Sequence, residues 1–211
     1  MSPRRAPRDA DDALRRGVDR RPVRATFRVY VEGRVTEVAY IDALRQAAHL
    51  ASSTSVRVMI GESGAVPLAL VEAARRDRHR IRGGVDQFWC VFDVESPLRH
   101  PHLRRAIALA EANDIRVAVS NPCFELWLIL HHRDHGAHLS TREAVRIRRQ
   151  LDGAGGKGLN PDTYMRSRDD AVKRAHTLRR RHQSNGTVFP EDNPGSSVDR
   201  FVVALSEAGW A

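Results

Sequence analysis

A chain of 211 residues, 41% apolar and 29% charged, can bury one hydrophobic core and a small appendage but not two ordinary domains. Its longest unbroken apolar run, Leu126 to Leu130, falls far short of the roughly 20 residues that cross a bilayer, so no membrane-spanning helix and no membrane partner are expected. The formal charge of +9 points to a polyanionic partner, because basic surfaces gain free energy by releasing counterions from phosphate backbones, although an arginine-rich composition throughout accounts for part of it.

Residues 1–22 are rich in Arg, Asp and Pro without apolar periodicity and are expected to form a disordered basic arm. No apolar segment behind these charges could serve as a secretory signal, and Cys90 and Cys123 each sit inside an apolar stretch, so free thiols and a cytoplasmic location are expected. From Ala25 the β-branched and aromatic content predicts a strand ending near Glu32 and Gly33. Thr36 then caps a helix with Tyr40, Ile41, Leu44 and Ala48 on one face. A strand over Val56–Ile60 leads to a helix over Pro67–Arg80, whose proline suits the first turn. A third strand, Gln87–Phe92, ends at Asp93, and a helix after Pro101 aligns Leu103, Ile107 and Ala110. The fourth strand, Ile115–Val119, stops at Ser120-Asn121-Pro122.

Beyond Pro122 the pattern is helical: Phe124–His132, Ser140–Leu151 with a Ser140/Glu143 capping box, Arg168–His182 and Ser197–Ala208. Between them Asp152–Pro161 is glycine-rich and reads as an irregular loop. Phe124 and Trp127 are expected in the core, as are Ala171, Ala175 and Leu178, which leaves Lys173, Arg174, Arg180 and Arg181 outside. His131, His132, His135 and His138 lack a Cys or acidic partner at a zinc-like spacing and are expected as exposed helix-end histidines.

Strands alternating with helices imply βαβ crossovers, hence an α/β, Rossmann-like parallel sheet with helices on both faces and a helical C-terminal extension. The expected plan is an arm at 1–22, an α/β core at 23–135 and an extension at 136–211 packed on that core. Function in such sheets gathers outside the carboxyl ends of the strands, where Glu32, Asp93, Glu95, Ser120 and Asn121 fall. Strand alternation would point Asp93 and Glu95 to one side, so three acids converge on one edge. Carboxylates that repel one another are tolerated when a hard cation such as Mg²⁺ or Mn²⁺ lies between them; the bland reading is that strand-end acids are merely solvated. Glu125 sits in an otherwise apolar helix, where a bare carboxylate is costly, so it is either a further metal or substrate ligand near Asn121 or an internal cap or salt bridge. Lys157 and Tyr164 could reach a phosphate or lie in a solvated loop, and Lys173 and Arg180 belong to the helical face that is the first candidate for backbone contact.

Glu32-Gly33 after one strand and Asp93-Val94-Glu95 after a later one resemble the Toprim arrangement of a strand-end Glu and a downstream Asp-x-Asp, here with Glu95 in the second acidic place. Two further stretches, Glu32-Gly33-Arg34-Val35-Thr36-Glu37-Val38-Ala39-Tyr40 and Ser120-Asn121-Pro122-Cys123-Phe124-Glu125-Leu126-Trp127, are similar to segments of RloB-like proteins, and the resemblance runs over about residues 25–208. It implies a Toprim-like, Mg²⁺-dependent nuclease of restriction and phage-defence loci, with an ABC-type ATPase beside some relatives. The expected function is therefore metal-dependent cleavage of RNA or DNA, with Glu32, Asp93 and Glu95 catalytic, the same three and Glu125 on the metal, and Asn121, Lys157, Lys173 and Arg180 on the substrate. The alternative is a non-catalytic subunit that binds nucleic acid or an ATPase.

Overall fold

Apolar, β-branched segments at residues 25–31 and 87–93 form the two central strands of an open sheet in the computed structural model, which describes residues 25–50, 54–60, 65–81, 83–153 and 158–208. The expected arm at residues 1–22 and Lys157 lie outside the described residues. In chain order the elements are β1 (Ala25–Val31), α1 (Thr36–Leu50), β2 (Thr54–Ile60), α2 (Pro67–Arg80), β3 (Gln87–Asp93), α3 (Leu103–Glu111) and β4 (Arg116–Asn121). They continue as α4 (Phe124–His132), α5 (Thr141–Asp152), α6 (Pro161–Arg166), α7 (Arg168–Ser184), β5 (Gly195–Ser196) and α8 (Val198–Glu207).

The strand order is β2-β1-β3-β4-β5. The first four strands are parallel, with Val31 opposite both Ile60 and Val91 and with Asp93 opposite Ser120; the short β5 runs antiparallel to β4. Because side chains alternate along a strand, Phe27, Val29 and Val31 enter one core while Tyr30 enters the other. The first core joins α1 to α4 through α8 and is filled by Tyr40, Leu44, Phe124, Trp127 and Phe201. On the opposite face, Leu70, Val71, Ala74, Leu103 and Ala106 of α2 and α3 pack on Phe88, Cys90 and Phe92. Sheet faces covered by helices on both sides are what parallel strands require, since neither face can be left to water. The segment after residue 136 supplies helices and a strand to this same body rather than helices alone.

Local signals place most elements where the residues lead one to expect them. Pro67 opens α2, the Ser140/Glu143 capping box opens α5 with both of its hydrogen bonds present, and Ala171, Ala175 and Leu178 form the buried stripe of α7. Both cysteines are free and buried. Among the described residues no helix is long and apolar enough to cross a membrane.

Three expectations are corrected. His131 is buried rather than exposed: its Nε2 lies 3.1 Å from the Tyr40 hydroxyl and its ring stacks on that of Tyr40. Tyr164 is not in a solvated loop, because α6 carries it into the core, where its hydroxyl donates to Asp152 at 2.6 Å and Asp152 in turn pairs with the buried Arg148. Arg174 turns inward and donates to the carbonyls of Leu130 and His131, satisfying acceptors left over at the carboxyl end of α4.

Candidate functional site

In this strand order the chain moves from β1 outward to β2 and then returns across β1 to β3, so the loops leaving β1 and β3 diverge to opposite faces and leave a crevice at their carboxyl ends. Glu32 and Asp93 flank that crevice. The Glu32 amide donates to the Val91 carbonyl at 3.2 Å, extending the β1–β3 ladder by one residue, and the Asp93 amide donates to Glu32 Oε2 at 3.2 Å. His100, on the loop after β3, places Nε2 2.7 Å from Glu32 Oε1. Burial pushes the Glu32 carboxyl above its ordinary range, against the pull of His100 and the Asp93 amide, and nearby Glu95 adds to the rise.

Asp93 is the electrostatic centre of the group. Burial drives its carboxyl well above the usual range, and the charges of Glu37, Glu32, Glu125 and Glu95 push the same way. Its side chain accepts no hydrogen bond and makes no ion pair among the described residues. Five carboxylates from four segments of the chain therefore share one electrostatic neighbourhood around the half-buried Asp93. Glu37 comes from the first turn of α1, where its carboxylate occupies the space that any side chain at Gly33 would fill. Glu125 comes from the first turn of α4, beside the buried Cys123, whose thiol donates to the Thr141 carbonyl and whose pKa burial raises foremost, helped by Asp93 and Glu125.

Glu95 reaches the group by a different route from the expected one. β3 ends at Asp93 and Val94 turns into the core, so strand alternation no longer applies; Glu95 has φ 68°, the left-handed region, and its amide donates to the Pro122 carbonyl at 2.8 Å. Its carboxylate accepts from Thr141 Oγ1 at 2.5 Å, which ties the group to the start of α5.

The donor set is hard oxygen throughout, with a surplus of negative charge at a half-buried edge, and its chemistry fits a hard divalent cation such as Mg²⁺. Among the described residues no three His, Cys, Asp or Glu side chains are already gathered as a ligand cage, so the carboxylates border the crevice without closing on one position. The model of the RloB-like protein family matches residues 27–205, a span that takes in the sheet and every helix at least in part. The chain belongs to the RloB-like family. No curated protein and no solved structure matches it.

The remaining candidate residues of this RloB-like chain lie apart from the acids in differing degrees. Asn121, at the end of β4, is buried and donates through Nδ2 to the Pro190 carbonyl at 2.9 Å and to Asp192 Oδ1 at 3.0 Å, binding the strand to the segment that precedes β5. Lys173 is exposed on α7 and borders a groove of about 770 Å³ whose floor includes Trp89, Ile115 and Val117. That groove lies toward the amino ends of β3 and β4, the end of the sheet opposite the acids, so the structure does not bring Lys173 to them. Arg180 is exposed farther along α7. Glu37 and His100 are the site residues that sequence reasoning missed. An acid in a helix's first turn reads as a partner of the helix dipole, which concealed Glu37, and a lone histidine in a loop carries no signal at all.

Proposed function

We propose that this RloB-like protein is a metal-dependent nucleic-acid phosphodiesterase, an RNA or DNA endonuclease of Toprim-like kind, that holds Mg²⁺ or Mn²⁺ at the crevice between β1 and β3. The observation that carries this reading is the half-buried Asp93 carboxylate, which feels the charges of four other acids with no cation of the protein against it. Such crowding is costly in a folded protein unless protons or a cation relieve it. Glu32 and Asp93 would hold the ion, and Glu95, Glu125 and Glu37, whose charges reach Asp93, would add to its attraction. Bound there, a divalent ion supplies charge stabilisation on a scissile phosphate and orients an attacking water. The protein's own part is to fix the acids on strand ends and first helical turns, and to keep a proton-sharing His100 Nε2 against Glu32 Oε1. The raised carboxyl pKa values imply that metal competes with protons for this group, so affinity rises with pH.

The test is a Mg²⁺ and Mn²⁺ titration read by thermal unfolding, beside cleavage of end-labelled single-stranded and duplex RNA and DNA. Wild type should gain stability with metal and cleave, and Glu32→Gln and Asp93→Asn should lose both. A wild type that neither gains stability with metal nor cleaves would overturn the reading and favour a non-catalytic subunit that binds nucleic acid or an ATPase. A place beside an ABC-type ATPase in a restriction or phage-defence system belongs to the same proposal and is tested by co-purification.

A further inference from the structure

α5 starts at the acid edge and leads away from it. Its first residue, Thr141, donates its amide to the Ser96 carbonyl at 3.1 Å, accepts the Ser96 amide on Oγ1 at 3.1 Å and donates from Oγ1 to Glu95. The inner face of the helix is buried through Ala144 and Ile147, and one of its four arginines, Arg148, is consumed there by Asp152. The other three, Arg142, Arg146 and Arg149, are exposed and border a shallow groove on the outer face. At 3.6 residues per turn they fall within about 60° of one another, and at 1.5 Å per residue they form a row roughly 10 Å long.

These three guanidinium groups make no ion pair among the described residues. Some exposed arginines elsewhere lean on acids, as Arg80 does on Asp77 and Arg99 on Glu191, and others, such as Arg76 and Arg105, stand singly or in pairs without an ion pair; what sets α5 apart is three such arginines in one row. The acid nearest along α5, Glu143, is held by Ser140 in the capping box. A row of arginines without ion pairs, of which Arg146 feels the charge of the capped Glu143 at the groove's edge, on a helix whose first residue is bonded to the acid group has the placement of a track for a polyanion. One nucleic-acid strand presents a phosphate about every 3.4 Å of its axis, so roughly three phosphates fall along a row of this length. No aromatic side chain lies on this face, so the row can hold a backbone but cannot stack a base.

We infer that Arg142, Arg146 and Arg149 of α5 form the docking track for the sugar-phosphate backbone of one nucleic-acid strand, delivering it to the acid edge without reading its sequence. The assignment deepens the nuclease reading and rests on it for what happens at the end of the track. Binding of the full chain to fluorescein-labelled 20-nucleotide single strands of DNA and RNA, followed by anisotropy in EDTA across a KCl series, tests it without any need for cleavage. The triple variant Arg142→Gln, Arg146→Gln and Arg149→Gln should flatten the slope of log K against log salt by about 2, at roughly 0.7 per lost phosphate contact. The corresponding triple Lys variant should keep most of the slope. A control of equal charge loss on the opposite face of the sheet, Arg75→Gln, Arg76→Gln and Arg105→Gln, should change it little. All three variants alter exposed or partly exposed side chains and should melt with wild type. Failure of wild type to bind, an unchanged slope in the α5 Gln variant, or an equal loss in the control would overturn the track. A lowered slope in a protein that never cleaves would remove the nuclease reading and leave the track standing, and cleavage with an unchanged slope would do the reverse.

Discussion

Acid should weaken the fold through His131. The ring is only 3% exposed, its centroid 5.4 Å from that of Tyr40, 4.9 Å from Trp127 and 5.3 Å from Tyr164, and its Nδ1 has no partner. Burial foremost, then the charges of His132 and Arg174, pushes its pKa from 6.5 down to about 3. The unfolded chain takes this proton near pH 6.5 and the folded chain refuses it until about pH 3. The stabilisation is therefore complete above pH 6.5 and is lost progressively as pH falls toward 3. At about 1.4 kcal/mol per pH unit the loss reaches about 2 kcal/mol by pH 5, against a typical total of about 5–15 kcal/mol. Asp93 and Glu32 act with the opposite sign: their folded pKa values are raised, so their protonation favours the metal-free fold as pH falls. Comparing wild type with His131→Phe at each pH cancels those carboxylates, since both proteins carry them. The variant leaves the Tyr40 hydroxyl without its histidine and should be weaker by about 1–3 kcal/mol at pH 7.5. Urea unfolding in EDTA should then show that deficit shrinking, or reversing, by about 2 kcal/mol between pH 7.5 and pH 5. A deficit that stays constant over that range would refute the argument.

Asp93→Asn removes the central charge of the acid group and should raise the metal-free thermal midpoint at pH 7.5. The gain should fade as pH falls toward the ordinary carboxyl value of 3.8 and vanish below it, where wild type is protonated in both states; scanning fluorimetry in EDTA checks it. Gly33→Ala should displace the Glu37 carboxylate, so that added Mg²⁺ raises the midpoint less than in wild type while the metal-free midpoint moves little, read by the same assay. Arg179→Met should cost about 3 kcal/mol in chemical denaturation, because it leaves Asp199, which is 3% exposed and paired to Arg179 at 2.5 and 3.0 Å, as a buried charge without its partner.

Elements that announce themselves locally were legible: Pro67 at the head of α2, the Ser140/Glu143 box at the head of α5 and the apolar strands that end at Glu32 and Asp93. Elements that depend on distant contacts were not. β5 is two residues long and exists through pairing with Ser120 and Asn121, and α6 follows a glycine-rich stretch but is held by Tyr164 reaching Asp152. His131 misled because the end of a helix is where a histidine ordinarily meets water, whereas α7 packs over the end of α4 here and Tyr40 reaches its ring from α1.

The acid group shows the same division and a reason for it. A parallel sheet delivers every strand end to one edge, so an acid directly after a strand, such as Glu32 or Asp93, can be assigned to that edge from sequence alone. The helix that follows each strand also begins at that edge, so an acid in its first turn returns to the same place. Glu37 in α1, after β1, and Glu125 in α4, after β4, both do so; Glu37 resembles an ordinary dipole partner until the topology is known, whereas the apolar helix around Glu125 marks it in the sequence. Glu95 belongs to neither class, since its left-handed turn after β3 is what brings it beside Thr141. Strand ends, first helical turns and one unusual turn together make the five-carboxylate group; Glu37 is the member that only the fold reveals, and the fold replaces strand alternation as the reason for Glu95.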